Sequence, residues 1–70
     1  MNESLANSLK DERARLGLTQ AELADRIGVS RKTINTVENG IFVPSTILAL
    51  KLAAALDRRV EDLFRIVPEE

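Results

Sequence analysis

The stretch that decides the fold runs from Thr19 to Gly40 and reads TQAELADRIGVSRKTINTVENG. Its apolar residues recur at helical rather than alternating spacing, and Gly28 divides it into two short blocks. The first block opens with Thr19 and then Glu22, which is the spacing of a capping box. Ser30 offers an N-cap to the second block. The pattern therefore predicts two short helices that cross at a steep angle, because the turn between them is only three or four residues long.

The outer side of the second of these helices, Arg31 to Asn39, is the most informative surface. Ile34 and Val37 define its inward side, and at about 100° per residue the opposite side carries only hydrogen-bonding residues: Arg31, Lys32, Asn35, Thr36 and Asn39. It carries no carboxylate, although Asp and Glu make up 11 of the 70 residues. Arg, Lys and Asn are the residues that bind base edges or phosphates in the major groove. The distribution of residues around the helix predicts that this side contacts DNA. The alternative is an ordinary helix face exposed to solvent, which is usually polar too.

The rest of the chain divides into three more helices and a short strand. The expected bounds are about Glu3 to Leu16, Thr46 to about Leu56 and Val60 to Phe64 for the helices, and Arg65 to Val67 for an edge strand before Pro68. The predicted fold class is all-α, a compact five-helix domain with a short C-terminal edge strand.

Composition limits the functions that the chain can have. Seventy residues predict a single domain over 1–70, and an aromatic content of 3% predicts an aliphatic core. The absence of Cys and His excludes disulfides, structural zinc and cysteine or histidine catalysis. A catalyst of carboxylates, Lys and hydroxyls is the alternative, but seventy residues leave few positions to wall a pocket, so we expect no enzyme, no metal and no cofactor. A core of this size supplies only about 3–5 kcal/mol without a staple or a partner, which suggests self-association.

Apolar runs are too short to cross a membrane. The longest is Leu52 to Leu56, against the roughly 20 residues that a bilayer requires. We therefore expect a cytoplasmic protein that does not associate with membranes.

These residues resemble the phage-repressor-like helix-turn-helix family, also called the xenobiotic-response-element family. The resemblance covers almost the whole chain and rests on Leu18 to Ala24, Gly28 to Arg31, Thr33-Ile34, Glu38 to Gly40, Pro44-Ser45 and Glu61 to Phe64. It implies a five-helix, repressor-like DNA-binding domain whose helix-turn-helix is formed by helices two and three, about 19–40. Members of the family are mostly transcriptional regulators that bind palindromic operators as dimers.

The resemblance also implies roles for individual residues. The base-reading positions match Arg31, Lys32, Thr33, Asn35 and Thr36, and the phosphate-contacting positions match Thr19, Gln20, Asn39 and Gly40. Gln20 is expected to brace the first side chain of the recognition helix as well. Asn39 and Gly40 are expected to present backbone N–H groups to phosphate. Simple capping is the alternative for Gln20 and Asn39.

Arg13 follows Leu5 and Leu9 at four-residue steps, so it borders the apolar stripe of the first helix and needs an anion. Glu38 borders the inward side of the recognition helix, and the resemblance implies a structural Arg13–Glu38 ion pair. Glu12 borders the same stripe as Arg13, and the helical wheel alone does not choose between these neighbours.

The C-terminal part of the chain is the expected dimerisation region, about 56–67. The interface residues are expected to be Leu56, Val60, Leu63, Phe64 and Ile66; the alternative is that they close the core of one chain. Ile41, Phe42 and Val43 stand where many relatives have Lys or Arg, and they leave an apolar loop.

The sequence as a whole predicts a regulator that binds double-stranded DNA as a homodimer and represses transcription. The alternative is an antitoxin or accessory module that uses the apolar loop and the C-terminal tail to hold a partner protein.

Overall fold

Five helices and a two-stranded sheet form the described part of the chain, residues 2–69 of a computed structural model. The order is β1 (Asn2–Asn7), α1 (Leu9–Arg15), α2 (Gln20–Ile27), α3 (Arg31–Glu38), α4 (Thr46–Leu56), α5 (Val60–Leu63) and β2 (Phe64–Glu69). The strands pair antiparallel, with Asn7 opposite Phe64 and Leu5 opposite Ile66.

The beginning of the chain corrects the sequence prediction. Residues 3–7, which the sequence places in the first helix, belong to β1, so the fold is not all-α. The predicted edge strand needs a partner for its backbone N–H and C=O groups, and β1 supplies that partner. α1 begins only at Leu9, whose N–H donates to Asn7 Oδ1 at 3.1 Å. An Asn side chain that bonds the backbone two residues ahead competes with a helix that would run through it.

Local capping explains the helix pair α2 and α3. The Thr19 hydroxyl accepts the Glu22 N–H at 3.0 Å, and the Thr19 N–H donates to the Glu22 carboxylate at 2.9 Å, as the capping box predicts. Gly28 ends α2 with φ of +75°, a left-handed conformation that favours glycine. The Ser30 hydroxyl then accepts the Thr33 N–H at 3.2 Å and starts α3.

The core is aliphatic, with Phe64 as its one aromatic member among the described residues. It draws on every helix, and its most completely buried side chains are Leu9, Leu23, Ile34, Val37, Leu52, Leu56 and Leu63. α4 buries one side, formed by Leu48, Leu52, Ala53 and Leu56, and exposes Ile47 and Leu50 on the other, so its almost uniformly apolar sequence is only partly covered within one chain.

Burial within one chain favours, for three residues of the predicted dimer interface, the alternative that they close its core. Leu56 is 0%, Leu63 1% and Phe64 8% exposed, so the core of one chain already uses these three side chains. A residue without exposed surface has nothing to offer a second copy. Of the five predicted residues, Val60 is half-buried and Ile66 is exposed.

Candidate nucleic-acid interface

The outer side of α3 is open to solvent at three of the five predicted base-reading positions. Arg31, Lys32 and Asn35 are exposed, and neither cation forms a hydrogen bond or ion pair within residues 2–69. Thr33 and Thr36 are half-buried. The Thr36 hydroxyl lies 3.0 Å from the carbonyl oxygens of both Lys32 and Thr33, so it is engaged within the helix. The three exposed side chains are therefore the ones that are able to reach a partner.

The one carboxylate of α3 faces away from this side. Glu38 has a side chain that is 5% exposed, and Arg13 Nε and Nη2 donate to its two oxygens at 2.9 and 3.2 Å. The hydrogen bond from Arg13 to Glu38 raises the pKa of Arg13 above its ordinary value, against the opposing effect of burial. Arg13 Nη1 also donates to the Leu18 carbonyl at 2.9 Å. This side-on pair joins α1 to α3 and neutralises the carboxylate.

Gln20 extends the ion pair into a network of amides. Its Nε2 donates to Glu38 Oε1 at 3.1 Å and to Asn35 Oδ1 at 3.3 Å. Asn39 Nδ2 donates to the same Asn35 oxygen at 3.1 Å. The resemblance led us to expect that Gln20 braces Arg31, the first side chain of the recognition helix; in the structure it braces Asn35 and Glu38.

The hydrogen bonds at the end of α3 bear on the expectation that the Asn39 and Gly40 N–H groups contact phosphate. The Asn39 N–H donates to the Asn35 carbonyl and the Gly40 N–H to the Val37 carbonyl, both at 3.1 Å, and Ile41 N–H donates to Thr36. Together with the φ of +73° at Gly40, these bonds form a Schellman motif. The backbone N–H groups of Asn39 and Gly40 are thus hydrogen-bonded inside the chain, and their contact with phosphate stays a prediction.

The start of α2 is the remaining predicted phosphate contact. The Thr19 N–H is bonded to Glu22, and this backbone hydrogen bond lowers the pKa of Glu22 below its ordinary value. The Glu22 N–H is used by the Thr19 hydroxyl, so the backbone N–H groups of Gln20 and Ala21 and the Thr19 hydroxyl hydrogen are the donors that this helix start leaves for an anion.

Asn7 is a residue that the sequence reasoning missed. Its Nδ2 lies 3.1 Å from the Val37 carbonyl oxygen and 3.4 Å from that of Glu38, so it touches the last turn of α3. An Asn just before an apolar helical pattern is a signal for a helix start. The predicted first helix, from about Glu3, runs through Asn7 and so hides this signal.

Other kinds of site are absent from the part of the chain that the structure describes. Among the side chains that the structure describes, those of residues 3–68, no group of His, Cys, Asp or Glu is arranged to hold a metal ion. None of the helices described there has the length and apolarity needed to span a membrane.

The chain contains two short capped helices joined by a turn at a glycine. The second helix has an outer side with two cations and no carboxylate. These features define a helix-turn-helix protein of the DNA-binding class. Comparison with known proteins agrees with this assignment. Residues 9–63 match the helix-turn-helix family model, and the chain belongs to that family, which consists of DNA-binding transcriptional regulators of the phage-repressor-like type. The family is not a class of enzymes.

Individual relatives share most of their length with this chain. It is 40% identical over 65 residues to the uncharacterized HTH-type transcriptional regulator YgzD of Bacillus subtilis, covering 93% of this chain and 98% of YgzD. It is 51% identical over 57 residues to an uncharacterized HTH-type transcriptional regulator of Methanothermobacter thermautotrophicus, covering 80% and 83%.

Among solved structures, the restriction-modification controller protein C.AhdI of Aeromonas hydrophila matches with a TM-score of 0.73 and 37% identity, over 77% of this chain and 78% of the other. The transcriptional regulator VanUg matches with a TM-score of 0.76 over 99% of this chain and 92% of the other, and at 20% identity it supports the fold alone.

Proposed function

We propose that this chain is a cytoplasmic, sequence-specific repressor of transcription that binds a palindromic operator as a homodimer, with α3 in the major groove. Residues 1–70 act as one domain whose helix-turn-helix is α2, the turn and α3. The observation that carries the proposal is the division of charge on α3. Arg31 and Lys32 face solvent, whereas Glu38 is turned inward and neutralised by Arg13. An exposed carboxylate would repel the phosphates on either side of the groove, and this helix exposes none.

The proposed contacts divide between bases and phosphates. Arg31, Lys32 and Asn35 read base edges, with Thr33 and Thr36 beside them. Thr19 and the first turn of α2 contact phosphate, because a helix start presents free N–H groups and the positive end of the helix dipole. A good bidentate base contact discriminates against the wrong base by about 1–3 kcal/mol. Repression would be steric, through occupation of the operator.

A dimer is proposed because large apolar side chains remain exposed on a very small domain. Ile66 is 67% and Leu50 56% exposed, and each lines a shallow groove that also contains half-buried Leu5. A two-fold axis through this surface would set two copies of α3 about 34–36 Å apart, on successive major grooves of one face of DNA. The net charge of −1 predicts a modest dependence on salt, corresponding to roughly 4–8 phosphate contacts per dimer.

The decisive experiment is selection of DNA from a random pool with the purified protein. Enrichment of an inverted repeat would support sequence-specific binding, two-fold symmetry and the half-site spacing together. If no sequence is enriched and the weak binding that remains does not depend on salt, the proposal fails.

A second candidate function, that of an antitoxin or accessory module, is favoured by the loop after α3. Ile41 is 77%, Val43 70% and Phe42 47% exposed. Phe42→Ser should then abolish capture of a partner protein while the fold is kept. Truncation after Leu63 is not a usable test, since it removes β2 and the buried Phe64. Enrichment of a palindrome by the protein alone would favour the repressor over this alternative.

A further inference from the structure

We propose that Glu38, held by Arg13, fixes the hydrogen-bonding direction of three side-chain amides on the DNA-facing surface, those of Gln20, Asn35 and Asn39. This inference rests on the proposed DNA-binding function and deepens it, because it specifies which groups the surface offers to bases. Arg13 and Glu38 are positioning residues in this arrangement, since they act on DNA only through the amides.

The first step is the direction of Gln20. A carboxylate paired with arginine only accepts hydrogen bonds, and both oxygens of Glu38 accept one from Arg13. The Gln20 amide atom that lies 3.1 Å from Glu38 Oε1 must therefore be the nitrogen. Gln20 Oε1 then points away from Glu38. No described group donates to it, and every buried side-chain N or O atom among the described residues has a partner, so Oε1 is open to solvent.

The second step passes this direction to α3. Because Gln20 presents nitrogen, Asn35 must present its oxygen to it, at 3.3 Å. Asn39 Nδ2 donates to the same oxygen at 3.1 Å. Asn35 Oδ1 is thus occupied by two donors, and Asn35 Nδ2 is left as the free end of that side chain. One inward carboxylate consequently sets the direction of a row of three amides.

The consequence concerns the bases that Asn35 is able to read. A free Asn recognises adenine with its oxygen and nitrogen together, since adenine offers one donor and one acceptor in the major groove. Here the oxygen is taken, so Asn35 reads acceptors only: a purine N7, guanine O6 or thymine O4. Gln20 presents only its oxygen Oε1, which is a hydrogen-bond acceptor. A phosphate oxygen is an acceptor too, so the two do not bond. Its side chain therefore makes no direct phosphate contact.

The test in the complex uses the selected operator and base analogues that delete one group at a time. Deazapurines remove N7, deoxo analogues remove O6 or O4, and unsubstituted purine or pyrimidinone removes the amino group of adenine or cytosine. In the wild-type protein one acceptor deletion should weaken binding about three- to tenfold, and Asn35→Ala should abolish that penalty. In Gln20→Met, which leaves the ion pair intact, Asn35 is less restrained and the penalty should shrink.

The inference would be overturned if Asn35→Ala abolished the affinity penalty of an amino-group deletion instead, or changed the penalty of none of the deletions. A uniform loss of affinity in Gln20→Met, with a smaller salt dependence, would likewise show that the Gln20 side chain binds phosphate.

A second measurement on the free protein separates this inference from the proposed function. Nuclear magnetic resonance should show Overhauser contacts from the Gln20 Nε2 protons to the Cγ protons of Glu38, and a single direction for each amide. Glu38→Gln should populate both directions, because an amide at position 38 presents either oxygen or nitrogen. Asp25→Asn removes the same charge from an exposed site on α2 that forms no ion pair with any described residue, and should change nothing.

The two measurements fail in different ways. If the wild-type amides already populate both directions, the inference fails even when an operator is found. If no operator is found but the amides are fixed, the proposed function fails and the direction of the amides still stands.

Discussion

The side-chain nitrogen of Asn7 lies 3.1 Å from the carbonyl oxygen of Val37, so the end of the first strand holds the last turn of α3. The oxygen of the same side chain accepts the Leu9 N–H and starts α1. The Val37 carbonyl also accepts the Gly40 N–H, which uses both of its lone pairs. A single amide therefore connects β1, α1 and the C-terminal end of the proposed recognition helix.

Asn7→Asp separates the two functions of this side chain. Aspartate keeps an oxygen for the Leu9 N–H but has no donor for the Val37 and Glu38 carbonyls. We expect a loss of about 1–3 kcal/mol in the free energy of unfolding, measured by urea denaturation, because carbonyl oxygens lose a partner. Asn7→Ala loses both bonds without setting a carboxylate against these carbonyl oxygens, so it should also be destabilised and separates the lost bonds from the repulsion. Wild-type stability in Asn7→Asp would show that the bond to α3 contributes nothing.

Arg13→Met should be one of the most destabilising single changes. It leaves the Glu38 carboxylate, which is 5% exposed, without its partner. We expect a loss of about 3–5 kcal/mol by denaturation, since the cost of a buried charge is no longer offset. The double variant Arg13→Met with Glu38→Leu should recover part of that loss. A double variant less stable than Arg13→Met alone would contradict this explanation.

Arg31→Ala and Lys32→Ala should each weaken specific operator binding by about 1–3 kcal/mol per lost base contact, as measured by fluorescence anisotropy. Both side chains are exposed, so the melting temperature of each variant should be nearly that of the wild type. Lys51→Ala is the matched control, because it removes the same charge from the exposed surface of α4. Equal affinities in all three variants would exclude this side of α3 as the reading surface.

Ile66→Thr should weaken a dimer without unfolding the chain. Ile66 is 67% exposed, and threonine keeps the preference of a branched side chain for a strand. If Ile66 is buried between two copies, we expect a loss of about 1.5–3 kcal/mol per copy, measured as a shift in the dissociation constant by sedimentation. Ile47→Thr changes a side chain that is 68% exposed and lies outside both grooves, and it should leave assembly unchanged. An equal effect of both changes would place the interface elsewhere.

Acid should destabilise the fold through the carboxylates of Glu22, which is exposed, and Glu12, which is half-buried. Hydrogen bonds lower the pKa of Glu22 and Glu12 below the ordinary value of 4.5, from the Thr19 backbone and from Arg15 respectively. A lowered pKa in the folded state gives stability that is present above the ordinary value and is lost as the pH falls through the folded value. The melting temperature should therefore fall when the pH is lowered through 4.5. In Glu22→Gln, which cannot titrate, the fall should be smaller; an unchanged pH profile would contradict this cause.

The elements that depend on near neighbours are predictable from the amino-acid pattern alone. The capping box of Thr19 and Glu22, the left-handed turn at Gly28 and the cap at Ser30 involve residues only a few positions apart, so the pattern contains all the partners. The inward side of α3 follows for the same reason, since Ile34 and Val37 are successive contacts on one helix.

The features that join distant parts of the chain depend on the three-dimensional packing and could not be read from the pattern. Residues 2–7 became a strand because β2, about sixty residues away, supplies the hydrogen bonds. The wheel did not choose between Glu12 and Arg13, whereas the fold places Arg13 against Glu38 and leaves Glu12 to Arg15 and Arg58. Leu56, Leu63 and Phe64 belong to the core for the same reason: periodicity identifies an apolar side but not what covers it, and burial depends on packing between elements that no local pattern encodes.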